Sequence, residues 1–208
     1  HLPMIYSKPI CKKKLTEDEL NRKNIYSCPQ TLFKLHPDFD QIIFNILDKD
    51  QKAIVYFLKD KNKVWYKKLI NRLNNSKKYD SNRIIFLDPL NYNDYLLHLG
   101  RASVLLDPIY YGAGNSFFES MLFGTPSVTL PTDHIKSRLV LGAYKQMNIK
   151  DPPIAKDTQN YVNLAINYAN RDDIGKLKNI YRKAAEKKLF NTKKAGEEFN
   201  KILLSFFK

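Results

Sequence analysis

The chain has 208 residues, 43% hydrophobic and 27% charged, which is enough for one large domain or two small ones built around a real core. No apolar run approaches the ~20 residues of a membrane span and no signal-peptide pattern opens the chain, so a soluble protein is expected. A net charge of +14 raises the possibility of a polyanion partner, but the lysines are spread through every segment, and pairs such as Lys67-Lys68, Lys77-Lys78 and Lys193-Lys194 read as solvated faces.

Cys11 and Cys28 are too few for a disulfide framework and lack metal-ligand spacing, so a reducing cytoplasm is the expected location. The chain opens on His1, which fits a piece of a longer protein. Residues 1–22 show no sustained period and read as a linker or interdomain connection. From Lys23 the pattern becomes that of one α/β domain. Lys23 to Cys28 gives a short strand, and Gln30, Thr31 and Lys34 fall in the loop at its C-terminal end, where an open parallel sheet binds ligands. Pro37 to Leu47 follows as a helix with proline at its first position, then Ala53 to Leu58 as a strand apolar enough to be covered on both sides. Val64 to Leu73 reads as helix, Arg83 to Leu87 as strand, and Asn93 to Leu99 as helix with Asn91 or Asn93 as its cap.

The richest stretch is LLDPIYYGAGNSFFESMLFGTPSVTLP, Leu105 to Pro131. It reads as a strand from Ser103 to Leu106, a small-residue turn through Gly112 and Gly114, a helix from Ser116 to Phe123, a Gly124-Thr125-Pro126 stop, and a strand from Ser127 to Leu130. The free N–H groups at the start of such a helix suit an anion, and Asn115 and Ser116 add short polar groups there. Glu119, four residues after Asn115, shares its face, and a carboxylate in that place suits the two hydroxyls of a ribose. Without a full GxGxxG pattern, a dinucleotide is disfavoured. Ser137 to Met147 is a further helix, Ile149 to Ala155 crosses back over the sheet, and the chain from Asp157 reads as helical throughout. Three apolar stripes mark that last part: Val162, Ala165, Ile166 and Ala169; Leu177, Ile180 and Tyr181; and Phe199, Ile202, Leu203, Phe206 and Phe207. Strands alternating with helices give a doubly wound α/β sheet. Arg138, His36 and His134 read as helix-start residues without catalytic roles.

CPQTLFKLHPDFD (Cys28 to Asp40), RIIFLDPLNYNDYL (Arg83 to Leu96), the stretch from Leu105 to Pro131, SRL (Ser137 to Leu139) and LFNT (Leu189 to Thr192) together resemble the C-terminal half of the O-linked N-acetylglucosamine transferase family and its bacterial relatives. The resemblance implies the C-terminal, UDP-sugar-binding domain of a GT-B fold. The family's QLYK lysine falls on Lys34, implying a diphosphate contact and leaving-group stabilisation, and its glutamine falls on Thr31, beside Gln30. The family's HTT becomes Gly114-Asn115-Ser116, and its ribose-binding aspartate becomes Glu119. The uracil loop falls on Leu90; a lysine and a histidine there become Tyr92 and Tyr95, and an arginine becomes His98. The resemblance implies transfer of a hexose or N-acetylhexosamine from UDP to an acceptor, with a protein side chain favoured. It also implies metal-independent chemistry, consistent with the lack of a DxD-type carboxylate pair, and an acceptor domain N-terminal to this stretch. Without that domain the chain alone would be inactive. Two alternatives stand beside this reading: another GT-B enzyme or epimerase with a different nucleotide sugar, and a basic polyanion-binding module.

Overall fold

The computed structural model describes residues 6–207. Its centre is a five-stranded, all-parallel sheet in the order β3-β2-β1-β4-β5, from β1 (Ile25–Cys28), β2 (Ile54–Leu58), β3 (Ile84–Leu87), β4 (Val104–Leu106) and β5 (Ser127–Val128). Each strand lies within the span expected from its apolar run. The chain builds outward from β1 through α2 (Pro37–Lys49) and α3 (Val64–Asn74). It then returns through α4 (Tyr92–Arg101) to the other side of β1, and through α5 (Asn115–Ser120) to β5.

Alternation along the strands divides the core. Tyr26, Cys28, Val55, Phe57, Val104, Leu106 and Val128 join the main cluster with the buried faces of α2, α6 (Leu139–Met147), α7 (Thr158–Ala169) and α8 (Ile174–Lys188). Ile25 and Leu105 meet a smaller cluster built on Leu96 and Leu99 of α4 and its cap residue Ala102. Asn91 is the α4 cap, its side chain accepting from the Asp94 N–H at 3.0 Å, which explains the helix starting one residue earlier than its apolar period suggests. His36 caps α2 in the same manner, its Nδ1 accepting from the Asp38 N–H at 3.2 Å, and His134 precedes the 3-10 turn Ile135–Ser137. Arg138 donates to the Thr132 carbonyl at 2.8 Å, a cross-link at the entry to α6.

Several expectations need correction. The helix after the glycine turn runs only from Asn115 to Ser120, and turns carry the chain on to Gly124. Gly124 sits at φ 74°, and a Cβ there would lie 1.8 Å from the Lys178 carbonyl oxygen, so only glycine lets the chain pass this close to α8. The strand expected to reach Leu130 is two residues long, extended by one bridge from Thr129 to Ile154, where residues 149–155 come back to the sheet. The chain from Asp157 is three helices, broken around Asn170 and Phe190, the last being α9 (Thr192–Ser205). Its apolar stripe is not core: Phe199, Ile202, Leu203, Phe206 and Phe207 are all exposed, as is Ile180 of α8. The 1–22 segment contains α1 (Glu17–Leu20), one turn of helix closed by a Thr16–Glu19 capping box, too short to show a period; residues 1–5 lie outside the described residues.

Candidate functional site

The sheet order reverses between β1 and β4, and the crevice beyond the carboxyl ends of those two strands is where ligands of such sheets bind. Two loops build it. After β1, Pro29 and Gln30 are buried and a 3-10 turn, Leu32–Lys34, is pinned by buried Leu32 and Leu35, so that Lys34 is delivered half-buried to the crevice. After β4 comes Asp107, 2% exposed, whose two carboxylate oxygens accept from the Ala113 N–H at 2.5 Å and the Thr129 hydroxyl at 2.7 Å. Asp107 thereby ties the glycine turn to β5. A Cβ on Gly112 would lie 2.9 Å from an Asp107 carboxylate oxygen, which gives that glycine its reason. Burial pushes the Asp107 carboxyl up to about 7, against the two hydrogen bonds and the nearby Lys34 ammonium, which favour its charged form.

A cleft of about 430 Å³ is lined by Pro29, Gln30, Thr31, Lys34, Tyr92, Tyr95, Gly114, Asn115, Ser116 and Glu119. It brings together nine of the ten binding residues read from the sequence. Leu90 is the exception: it is exposed and absent from the lining. At one end, the Lys34 ammonium donates to the Gln30 side-chain oxygen at 2.9 Å and to the Gly112 carbonyl at 3.3 Å, and lies 4.6 Å from the centre of the Tyr111 ring. Among the described residues two of its three N–H donors are thus engaged and one is left for a ligand. Burial lowers its pKa, while Asp107 and Cys28 pull the other way. Gln30 donates through its amide nitrogen to the Ser116 hydroxyl, joining the two loops across the crevice. Thr31 is exposed and caps the 3-10 turn without a side-chain bond, whereas Gln30 beside it makes the polar link across the crevice.

At the other end stands Glu119, 9% exposed. One carboxylate oxygen accepts from the Tyr6 hydroxyl at 3.0 Å and the other from the Tyr95 hydroxyl at 3.1 Å. Tyr92 stacks on Tyr95, centroids 6.4 Å apart, and remains exposed at the mouth. Tyr95 thus acts on Glu119 and packs on the smaller core cluster, while Tyr92, whose hydroxyl also reaches Glu119 and Tyr6, keeps its ring exposed at the mouth. His98 is turned to the sheet, 2.7 Å from the Ser27 hydroxyl, and burial holds its pKa down at about 4; it plays no part in the cleft.

Tyr6 and Asp107 are the residues that reading the sequence missed. Asp107 follows directly on the strand expected to end at Leu106, with no local pattern to mark it, and Tyr6 lies in a segment with no period, 113 residues from its partner. In chemical terms the cleft offers a cation, a hydroxyl and a short helix start at one end, and a carboxylate with an exposed ring at the other. The first N–H groups of a helix have no partner inside it. An anion joined to a polyol and a flat base fits that order. Among the described residues no group of three His, Cys, Asp or Glu side chains is placed to hold a metal, and no helix is long and apolar enough to cross a membrane.

The profile described as Glycosyl transferase family 41 matches residues 13–199. No curated protein matches the chain by sequence. Among solved structures, a mutant of the Thermobaculum terrenum O-GlcNAc transferase is similar with a TM-score of 0.74 at 16% identity, over 86% of this chain and 35% of that one. A mutant of Staphylococcus aureus TarM, solved with fondaparinux, alpha-GlcNAc-glycerol and UDP, gives 0.67 at 12% identity, over 95% and 38%. Sucrose-phosphate synthase from Thermosynechococcus elongatus gives 0.63 at 13% identity, over 92% and 47%. The domain has the Rossmann-like fold found in GT-B glycosyltransferases, and the chain spans between about a third and a half of the length of these proteins.

Proposed function

Because the chain belongs to glycosyl transferase family 41, we propose that it is the donor-binding half of a glycosyltransferase that moves a hexose or N-acetylhexosamine from UDP to an acceptor, with a protein side chain as that acceptor. The observation that carries this reading is the meeting of Lys34, Ser116 and Glu119 in one cleft at the sheet's switch point. The family resemblance supports the assignment of each.

In this reading the diphosphate lies against Gly114, Asn115 and Ser116, where backbone N–H groups and the Ser116 hydroxyl donate to it. Lys34 supplies the positive charge. When the bond between sugar and diphosphate breaks, negative charge gathers on the departing phosphate. Donors already held in place stabilise that charge without having to reorganise, and this is the rate-enhancing contribution of the domain. Lys34 is the catalytic residue of this half. Its ammonium is fixed by Gln30 and Gly112 before any ligand arrives, and partial burial keeps water from screening it. Glu119 accepts from the ribose hydroxyls, Tyr92 meets the base, and the backbone around Leu90 borders the uracil edge. The charge on the diphosphate is met by protein donors, so the reading calls for no metal.

The acceptor and any general base belong, in this reading, to an N-terminal domain outside this chain, which makes the chain a binding-competent but inactive half. The free thiols Cys11 and Cys28 suit a reducing compartment such as the cytoplasm. Residues 23–208 act as the nucleotide-sugar domain and the preceding segment as its connection to the partner domain. Competition calorimetry with UDP, GDP and ADP tests this. UDP should bind most tightly, with only a shallow dependence on salt. A preference for GDP or ADP would point to another nucleotide sugar, and steep salt dependence with no nucleotide saturation would point to a polyanion module.

A further inference from the structure

Glu119 is held from two sides by hydroxyls that come from separate parts of the chain. Tyr6 reaches it from the segment before α1 and donates to Oε1 at 3.0 Å; Tyr95, on α4, donates to Oε2 at 3.1 Å. Both rings are themselves fixed. That of Tyr6 stacks on Phe118 with centroids 5.1 Å apart and planes 20° apart, and Phe118 is buried in the main core. That of Tyr95 is stacked under Tyr92 and packed on the cluster of Leu96 and Leu99.

An ionised carboxylate has about four acceptor positions, two on each oxygen. One on each oxygen is taken by a tyrosine. Tyr92, exposed at the mouth, also reaches the carboxylate with its hydroxyl and is the partner an incoming ligand can displace, which opens one position on each oxygen to the cleft that Glu119 lines. Two neighbouring acceptors in one plane match two neighbouring hydroxyl donors. A free glutamate side chain would sample several rotamers and lose that freedom on binding, whereas one pinned at both oxygens has lost it already. Burial and the Glu119 charge also raise the pKa values of both phenols. They therefore stay protonated, and donate to Glu119, at neutral pH.

We infer that Tyr6 and Tyr95 are positioning residues that hold the Glu119 carboxylate ready for the vicinal diol of a ribose, and that this clamp makes the cleft select ribonucleotides over 2′-deoxyribonucleotides. The inference rests on the nucleotide reading and adds to it a discriminating device that includes a residue of the N-terminal segment.

The test is calorimetry on the full chain with UDP and with 2′-deoxy-UDP, for the wild type, Tyr6→Phe and Tyr95→Phe. Each phenylalanine removes one oxygen and keeps the ring; thermal melts establish that the variants are folded, and Tyr6→Phe alone carries the test if the more buried Tyr95→Phe is not. The wild type should prefer UDP by about tenfold or more, the loss expected for one charge-assisted hydrogen bond. Each variant should cut that preference by roughly threefold, through weaker UDP binding with 2′-deoxy-UDP binding nearly unchanged. An unchanged preference in folded variants would overturn the clamp alone and leave the tyrosines structural. Tighter UDP binding by Tyr6→Phe would also overturn it, since Tyr6 would then be competing with the ribose. No saturation of the wild type by either nucleotide would overturn the nucleotide reading, and the clamp with it.

Discussion

Replacing Lys34 by methionine removes the one cation of the cleft lining and keeps a chain of similar bulk. The lysine now holds two neutral acceptors, the Gln30 side-chain oxygen at 2.9 Å and the Gly112 carbonyl at 3.3 Å. Gln30 lines the cleft, so water can take the vacated place beside its oxygen and the fold should lose little. In the proposed reading the third donor meets the diphosphate. A hydrogen bond to a charged group contributes about 1.5–3 kcal/mol, so UDP should bind the variant about 10- to 150-fold more weakly. Uridine, which has the base and ribose without the phosphates, should bind the two proteins equally. Calorimetry with both ligands reads the difference directly. Equal affinity for UDP would refute the assignment of Lys34. An equal loss for UDP and uridine would refute it too, because the damage would then be to the cleft as a whole.

The same lysine sets a pH dependence. The diphosphate favours the charged ammonium and burial lowers its pKa, so UDP affinity should fall with rising pH at lower pH than for an ordinary surface lysine, and a titration of Kd against pH in wild type and Lys34→Met separates its contribution. Lys178 gives a pH effect on stability. Its ammonium is buried against the carbonyls of Leu20 and Gly100 at 3.0 and 2.8 Å without a carboxylate, which lowers its pKa to about 7. Above that value the unfolded chain binds the extra proton, so stability should rise with pH from about 7 to about 10, where the tyrosines of the unfolded chain begin to titrate, and denaturant melts of Lys178→Met should show a flatter rise. Gly124→Ala should cost at least about 3 kcal/mol in chemical denaturation, because the left-handed backbone and the contact with α8 both exclude a Cβ. Gly196→Ala, in the exposed α9 with nothing within 4 Å of the new Cβ, should instead stabilise by about 0.5–1 kcal/mol.

The sheet and its helices were legible because each depends on local patterning. AIVYFL is apolar for as long as a strand covered on both faces needs, and Pro37 with its following apolar stripe marks the start of α2. The glycine turn and Glu119 were legible as a binding unit because their spacing along a helix sets their shared face. Other features depend on contacts that no local pattern carries. Tyr6 acquires its role only when the segment before α1 is laid beside α5. Asp107 matters because Thr129 and Ala113 converge on it from either side of the intervening helix. The stripe on α9 has the period of a buried helix, but no element of the described chain packs over it. The length of α5 was overestimated because residues after Ser120 keep an apolar pattern while the chain is already turning toward Gly124, whose positive φ closes the unit.

An NMR titration of the isotopically labelled chain with UDP tests the central claim most directly. Binding in the crevice predicts saturable shifts in the amides of Gln30 to Lys34, Ala113 to Glu119 and the start of α4, with Lys34→Met moving the same amides only at UDP concentrations about 10- to 150-fold higher. A folded chain whose spectrum is unmoved by millimolar UDP, or one whose shifts cluster away from the β1 and β4 ends, would contradict it.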